Sequence, residues 1–338
     1  NRSDVLNYSQ QVYASYLSMN LTMGKYYGLV VGSRYERTSI FGDFNVNETE
    51  FSFDYDNFLP SVILSRKLGK MSSLRLSFSQ RIQRPSLRFI NPYIPLDDPR
   101  NITVGNPELL PERTNSFDLA FNTFVKKFVL NTSVFLRKTN DVIENYLNID
   151  TLGTSITTYQ NIGTNYTYGV DIFTSLNLQD KINLRGGFNI ANYYTEATIN
   201  GQRLSNLGLI YRGNLSLTYT FPHNLRMEVS GFYNSPRYSL QGYRASHTRS
   251  SIGIRKDFAN KKATLGLVID QPFRKNQRFP NRLEGPSFFQ ESINTVAQRS
   301  FGLSFNYRFG QLDFKDSRRE RRSKINNSDL KDGGDSNM

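Results

Sequence analysis

The sequence contains no cysteine and no tryptophan, and it contains only two histidines. Without cysteine, the chain forms neither disulfides nor thiolate metal sites. His223 and His247 are far apart in the sequence and do not suggest a shared metal or a catalytic pair. The chain also lacks a glycine-rich phosphate loop, a zinc pattern and a nucleophile elbow. We therefore expect no catalytic residues, no cofactor and no metal, and we predict that the chain is not an enzyme.

One acidic stretch partly matches a calcium-binding loop, beginning at Asp43. Glu48 stands where such a loop requires glycine, and Asp54 stands where it requires glutamate. The favoured interpretation is therefore a solvated acidic loop.

Long apolar runs are absent as well. The mean hydropathy is −0.51, and Leu29-Val30-Val31 is typical of the longest apolar stretches, whereas a membrane helix needs about 20 such residues. Membrane β-barrels also lack long apolar runs, because only alternate residues of each strand face lipid. The chain starts at Asn1 without an initiator methionine or a signal peptide, which predicts a mature chain or a piece of one.

The chain does contain segments in which large apolar residues alternate strictly with small or polar ones, and this pattern is clearest in residues 301–309. Large apolar or aromatic side chains occupy Phe301, Leu303, Phe305, Tyr307 and Phe309, and small or polar ones occupy the positions between them. Side chains of a strand alternate between two faces, so these five share one face. Such a strand fits either a sheet over a core or a barrel with lipid outside and water inside.

The same pattern recurs along the whole chain and predicts about thirteen strands of about ten residues. Short turns alternate with long polar loops in a regular rhythm, which a soluble sandwich or propeller does not explain. Several of the polar faces carry charges that suit a wet lumen, among them Arg75, Asp118 and Arg185. The predicted strands are at roughly 8–19, 26–37, 57–68, 71–82, 112–124, 128–139, 165–178, 181–196, 208–221, 224–234, 248–258, 262–270 and 301–309.

The number of strands is itself informative. An odd number of strands joined in this way cannot close an antiparallel barrel, because the first and last strands would be parallel neighbours. The prediction is therefore an all-β fold, a transmembrane antiparallel β-barrel of which residues 1–310 form the C-terminal part. Residues 311–338 are predicted to be a disordered periplasmic tail, basic at first and then rich in Asp and Gly.

One proline-rich stretch resembles a known family. The motif residues are Arg84, Pro85, Asn91, Pro92, Gly105, Asn106, Pro107, Pro111 and Glu112. This pattern resembles TonB-dependent outer-membrane receptors of Gram-negative bacteria, and most closely the Bacteroidetes-type outer membrane protein β-barrel family. The ending Tyr307-Arg308-Phe309-Gly310 and the tail after it are also similar to that branch.

The resemblance implies a barrel of about 22 strands with a plug inside it. It also implies an upstream plug and TonB box, partnership with the TonB complex through that N-terminal region, and energised uptake of a nutrient. The nutrient class is an iron chelate, cobalamin, a glycan or a peptide. A surface binding or assembly module without transport is the alternative, because it fits the same strands.

Two interpretations of the motif remain open, a structural cover over the barrel and direct contact with a ligand. Elsewhere, aromatic and arginine side chains in the long loops are the predicted ligand contacts. These are Phe89, Tyr93, Tyr146, Tyr238, Tyr243, Arg244, Arg278 and Phe288.

The last strand and the tail suggest further partners. The resemblance implies that Phe301, Leu303, Phe305, Tyr307 and Phe309 form a signal for the barrel-assembly machinery, with outer-membrane lipid and lipopolysaccharide around the barrel. The formal net charge is +13, and part of the excess lies in the tail. Nucleic-acid binding is not expected, because the basic run lacks an aromatic platform.

Overall fold

A computed structural model of the chain describes residues 6–44, 49–94, 98–150, 152–179, 181–199, 201–258, 262–285, 288–309 and 330–331. Thirteen strands form one large antiparallel sheet, and each pairs with the strand of the same sheet that follows it in the sequence. The predicted number of strands is therefore confirmed. The strands of this sheet are β1 (Leu6–Met23), β2 (Tyr27–Phe44), β3 (Thr49–Lys67), β4 (Ser72–Pro85), β6 (Glu112–Val125), β7 (Phe128–Asn140), β10 (Thr164–Leu178), β11 (Ile182–Ile199), β12 (Gln202–Phe221), β13 (Leu225–Asn234), β16 (His247–Phe258), β17 (Ala263–Asp270) and β20 (Ser300–Tyr307).

Short turns close one end of this sheet, which we call the turn end. Residues with positive φ occupy these turns, including Gly24 (63°), Gly69 (81°) and Lys126 (52°). Glycine adopts that conformation without steric cost, which is why it recurs in tight turns. The opposite end carries the longer connections, and we call it the loop end.

The register of the sheet confirms the predicted alternation. Directly paired residues share a face, and the apolar side chains of β20 pair with those of β17: Phe301 with Ile269, Leu303 with Leu267 and Phe305 with Leu265. Leu303 is 76% exposed. We call this the apolar face, and the opposite one, which carries Ser304 on β20 and Asp171 on β10, the polar face.

Two of the predicted long loops are largely strand. The prediction had loops at about 38–56 and 197–207, yet β2 continues to Phe44, β3 starts at Thr49, and β11 and β12 are separated only by residues 200–201. The polar side chains there suggested loops, but Thr38 pairs with Tyr55 and Glu196 pairs with Ser205 in continuous register. A barrel strand spans the membrane with about 9–11 residues, so β12, with 20 residues, extends well beyond that length.

The remaining long loops contain small elements of their own. A three-stranded sheet holds β5 (Asn101–Thr103), β8 (Ile143–Ile149) and β9 (Ser155–Asn161). A four-stranded sheet holds β14 (Arg237–Ser239), β15 (Gly242–Arg244), β18 (Asn276–Gly285) and β19 (Phe288–Ala297). The helix of the described part, α1, covers Leu87–Ile90. No helix in the described ranges is long and apolar enough to cross a membrane.

Two residues of the predicted tail are described. Leu330–Lys331 (β21) pairs in parallel with Arg84 and Pro85 at the loop end of β4. The edge of β4 is accessible there because β3 pairs with β4 only through Ser61–Lys67. The rest of the tail that was predicted to be periplasmic, residues 311–329 and 332–338, lies outside the described residues.

Candidate ligand-binding surface

The last residues of β4 cross over the polar face of the neighbouring strands. β3 separates from β4 beyond Ser79, whereas β6 stays paired with β4 as far as Gln83. Arg84 therefore reaches past β3 to Glu36 on β2, with which its guanidinium group forms an ion pair. This contact turns the following loop inward.

The ion pair is buried. The side chains of Arg84 and Glu36 are 2% and 1% exposed, and Arg84 Nε also donates to Thr38 Oγ1 at 3.4 Å. Arg34 pairs with the same carboxylate through the other carboxylate oxygen. A buried carboxylate is tolerated only when charge and hydrogen bonds compensate for its lost hydration, which the two guanidinium groups provide.

Helix α1 follows and packs the loop onto the sheet. Phe89 and Ile90 are buried in an apolar cluster, and the ring centroids of Phe89 and Tyr159 are 4.5 Å apart. Tyr8 on β1 and Phe51 on β3 pack against the cluster from the polar face. Apolar burial therefore holds the loop over the polar face. The buried members of the cluster are Phe89, Ile90, Leu109, Ile143 and Tyr159.

The motif residues Asn91, Gly105 and Asn106 shape this loop. Gly105 N donates to the Asn91 carbonyl at 2.9 Å, and Asn106 N donates to the Phe89 carbonyl at 2.7 Å. A Cβ added at Gly105 would lie 2.6 Å from Asn91 N, closer than real side chains approach. Asn106 Nδ2 also donates to the Tyr159 carbonyl at 3.0 Å. At position 105, glycine is therefore required, because only a residue without Cβ lets the backbone approach Asn91 this closely.

The end of the motif joins the loop to the next one. Pro111 is buried, and Glu112 is 5% exposed and accepts a hydrogen bond from Ile143 N at 2.6 Å. We call residues 84–94 together with 98–112 the inner cap. Within its described residues, Arg84, Pro85, Gly105, Pro111 and Glu112 are all buried. These positions agree with the structural-cover interpretation of the motif.

The hairpin of β8 and β9 ends in a tight turn at Asp150. The Asp150 carboxylate accepts hydrogen bonds from Thr154 N at 2.7 Å and Leu152 N at 2.9 Å. These backbone donors, Thr154 foremost, hold the pKa of Asp150 below its usual value. The turn therefore fixes the outer end of the hairpin.

The four-stranded sheet is anchored to the polar face by a second set of contacts. Asn206 Nδ2 donates to the carbonyls of Ser239 and Gly242 at 2.7 and 3.1 Å. Gln241, 5% exposed, accepts from Leu147 N at 3.0 Å and donates to its carbonyl at 3.2 Å. The four-stranded sheet is thus connected to the large sheet and to the hairpin of β8 and β9.

A cavity of about 490 Å³ lies between this small sheet and the loop end of the large one. We call it the mouth pocket. Two arginines, a histidine, aromatic rings and amide side chains line it. Its lining residues are Asn145, Asn234, Ser235, Arg237, Ser239, Tyr243, Arg244, Ala245, His247, Phe279, Asn281 and Leu283.

His247 forms part of an aromatic stack along one side of the mouth pocket. Its ring centroid is 5.2 Å from that of Phe232 and 5.9 Å from that of Phe279, and the Phe279 ring is nearly parallel to it, at 25°. The stack connects β13 and β16 of the large sheet to β18 of the small one. The side of the pocket is therefore well fixed.

A second cavity of about 680 Å³ continues from the mouth pocket along the polar face. The two cavities share Asn234 and His247. The second is lined by amides and charged residues together with aromatic ones such as Phe173, and Asn189 Nδ2 donates to the Asp171 carboxylate there at 2.6 Å. Together they form a polar path from the loop end toward the middle of the sheet.

Two of the eight loop residues predicted from the sequence line the mouth pocket, Tyr243 and Arg244. Tyr238 lies on the neighbouring strand, with its ring centroid 6.4 Å from that of Tyr243. A Cβ added at Gly208 of β12 would overlap the Tyr238 ring, so this tyrosine rests on the polar face.

The other five lie away from the mouth pocket. Phe89 is 6% exposed within the inner cap, and Tyr146 packs against the cluster around Ile162, Ala197 and Leu240. Tyr93 is 39% exposed, Arg278 is exposed on β18, and Phe288 is half-buried on β19. The burial of Phe89 leaves its ring little surface for a ligand.

Sequence reasoning missed several pocket residues, notably Arg237, Phe279 and Asn281. Arg237 and Phe279 lie in predicted loops and carry the same arginine and aromatic signal as the residues that were chosen. The pairing of β15 with β18 brings them together, and local sequence does not show it, because residues 245–275 separate the two strands.

The sequence predicts no metal site, and its calcium-like stretch, which begins at Asp43, is interpreted as a solvated acidic loop. No cluster of three metal-binding side chains occurs in the part of the chain that the structure describes. Residues 45–48 of the calcium-like stretch lie outside the described residues, while Asp43 and Asp54 lie in β2 and β3.

Solved structures with the same fold are transporters and receptors. The chain is similar to the FrpB iron transporter from Neisseria meningitidis, with a TM-score of 0.62, 16% identity, and coverage of 90% of this chain and 46% of that one. It is similar to the copper transporter OprC, with a TM-score of 0.65, 14% identity, and coverage of 89% and 50%. The siderophore receptor PirA from Pseudomonas aeruginosa gives a TM-score of 0.54, 13% identity, and coverage of 89% and 57%.

At these identities the likeness concerns the fold alone, and the chain spans about half the length of these structures. No curated protein sequence matches the chain at a significant level. The model of one protein family, described as the outer membrane protein beta-barrel family, matches residues 1–307.

Proposed function

Because the chain belongs to the outer membrane protein beta-barrel family, we propose that it forms the C-terminal barrel portion of a TonB-dependent transporter for a nutrient. The observation that carries this proposal is the polar path from the mouth pocket to the second cavity. The two cavities meet at Asn234 and His247, on strands of the large sheet. A path of this kind along one face of a membrane sheet is what a ligand needs on its way from the cell surface to the lumen.

The division between the two faces supports the orientation of this path. Apolar side chains such as Leu303 and Leu267 are exposed on one face, and in the membrane they contact lipid. Charged side chains such as Arg75 and Arg212 line the cavity on the other. Charges are costly against lipid and tolerated in a water-filled lumen, so the polar face is the lumenal wall. Outer-membrane barrels have short periplasmic turns and longer extracellular loops, so the loop end is extracellular.

The outer edges of the sheet support the larger barrel. Among the described residues, neither the outer edge of β1 nor that of β20 pairs with another strand. Open edges do not occur in the hydrocarbon region of a membrane, because their backbone groups would lack hydrogen bonds. Further strands of the full-length protein close the barrel, a plug fills it, and the TonB complex supplies energy through the N-terminal region. Barrel-assembly machinery reads the last strand, and lipopolysaccharide and other lipids surround the barrel.

The nutrient belongs to one of four classes, an iron chelate, cobalamin, a glycan or a peptide. Three neighbours in fold are described as an iron transporter, a copper transporter and a siderophore receptor. These neighbours support a metal chelate as the first class to test.

Uptake by a strain that lacks the full-length gene tests this function. We expect the deletion to abolish energised accumulation of one labelled nutrient of these classes, and the intact gene to restore it. A protonophore should abolish accumulation in the complemented strain while leaving binding to the cell surface intact.

The alternative is a surface binding or assembly module without transport. It predicts ligand retention at the cell surface that a protonophore does not change, with no accumulation inside the cell. A complete gene without a plug domain and a TonB box would also contradict the transport proposal.

A further inference from the structure

Two arginines face each other across the small sheet at the mouth pocket. Arg237 on β14 and Arg244 on β15 are direct cross-strand partners, and both line the mouth pocket. Directly opposed residues share a face with Cβ atoms about 4.5–5.5 Å apart, and like charges there destabilise the pair. This arrangement weakens the small sheet unless negative charge accompanies it.

The mouth pocket itself does not provide that negative charge. None of the described residues that line it is Asp or Glu. Arg237 takes part in a further interaction within the protein. Arg244 is exposed, and in the described part of the chain no acidic side chain lies within ion-pair distance of it. Arg244 is therefore the arginine on which the inference depends.

The other lining residues indicate which chemical groups the rest of a ligand would carry. Asn145 and Asn281 contribute amide groups that can donate or accept hydrogen bonds. Phe279 and His247 present stacked rings. A flat or apolar group packs well against such rings, while the amides bind polar substituents.

We propose that the mouth pocket binds a small organic anion, with its carboxylate or phosphate group between Arg237 and Arg244 and its flat part against Phe279. Guanidinium groups bind both anions through paired N–H donors. This proposal rests on the proposed function, because it assigns a chemical class to the ligand captured at the extracellular mouth.

Binding of two simple probes tests it in the full-length protein, folded in detergent. Benzoate and phenyl phosphate carry the two anions on the same ring, and benzyl alcohol is their neutral counterpart. We expect saturation-transfer NMR to detect both anions at one site where they displace each other, and benzyl alcohol to bind at least about tenfold more weakly.

Substitution of Arg244 locates the site. We expect Arg244→Gln to weaken binding of both anions about tenfold and Arg244→Lys to weaken it less, because the charge is kept. Arg274→Gln is the matched control, since it removes the same charge from an exposed position between β17 and β18 that does not line the pocket. If both Gln variants bind alike, or if benzyl alcohol binds as well as the anions, the proposal is wrong.

Folding is checked separately by the change in gel mobility on boiling, which Arg244→Gln should retain. If Arg244→Gln loses this change, Arg244→Lys decides: weaker anion binding by a folded Arg244→Lys protein than by Arg274→Gln supports the site, and equal binding by the two contradicts it. Failure of the probes to bind a protein that still accumulates its nutrient would overturn this inference alone. Probe binding without uptake would overturn the transport function instead.

Discussion

Single residues explain why the inner cap stays in place, and the Arg84–Glu36 ion pair is the clearest case. The resemblance to a family drew attention to Arg84, but nothing in the sequence distinguishes Glu36 from other charged strand residues. The two are 48 positions apart in the chain, and they meet only because β4 leaves β3. Long-range contacts of this kind are not encoded in local periodicity.

Neutralising Glu36 should release the inner cap. Removing one partner of a buried ion pair leaves an uncompensated charge and costs about 3–5 kcal/mol. We expect Glu36→Gln to reduce hydrogen-exchange protection of the amides of α1 at least about a hundredfold, if those amides exchange by local opening.

Two variants make that prediction specific. Glu50→Gln on β3 removes the same charge from an exposed position and should leave protection unchanged. The double variant Glu36→Leu with Arg84→Met should recover most of it, because an apolar pair of similar size replaces a buried ion pair with little net cost. Equal protection in Glu36→Gln and the wild type would show that the ion pair does not hold the cap.

At the scale of elements, the strands of the large sheet were predictable and the small sheets were not. Alternation in Phe301–Phe309 or Leu215–Phe221 is a local signal that survives in a single sequence. The loops lack it, because β5 and β15 have three residues each. Their partners, β9 and β18, are chosen by loop closure and burial. The motif residues could be selected from the sequence, whereas the mouth pocket could be recognised only from the fold.

Gly105→Ala should disorder the inner cap without affecting the barrel. The added Cβ would lie 2.6 Å from Asn91 N and 2.7 Å from its carbonyl carbon, and relieving such overlap costs about 1–3 kcal/mol. We expect faster proteolysis between residues 91 and 105 in the folded protein, with unchanged gel mobility before boiling.

Gly253→Ala is the control for this substitution. A Cβ there has its nearest neighbour at 3.9 Å, the Leu267 carbonyl oxygen, which is an ordinary contact. Its proteolysis should match the wild type. Equally slow cleavage in Gly105→Ala would show that the backbone of the cap adjusts without loss of order.

The whole molecule depends on the difference between its two faces, which the sequence already specified. Because side chains alternate with a period of two, adjacent residues of β20 meet different surroundings. Leu303 pairs with Leu267 on the apolar face, and Ser304 pairs with Gly266 on the polar face. If the apolar face contacts lipid and the polar face contacts water, the same charged substitution should be harmful at Leu303 and harmless at Ser304.

Leu303→Arg should therefore impair the barrel, and Ser304→Arg should not. Arginine on the lipid face costs about 2–4 kcal/mol near the bilayer midplane, whereas lumenal arginine keeps its hydration. We expect the outer-membrane level of full-length Leu303→Arg to fall severalfold and its unfolding in urea to shift to lower concentration. Ser304→Arg should match the wild type in both measurements. The reverse order would mean that the polar face contacts lipid, and equal levels of the two variants would mean that β20 does not lie in the bilayer.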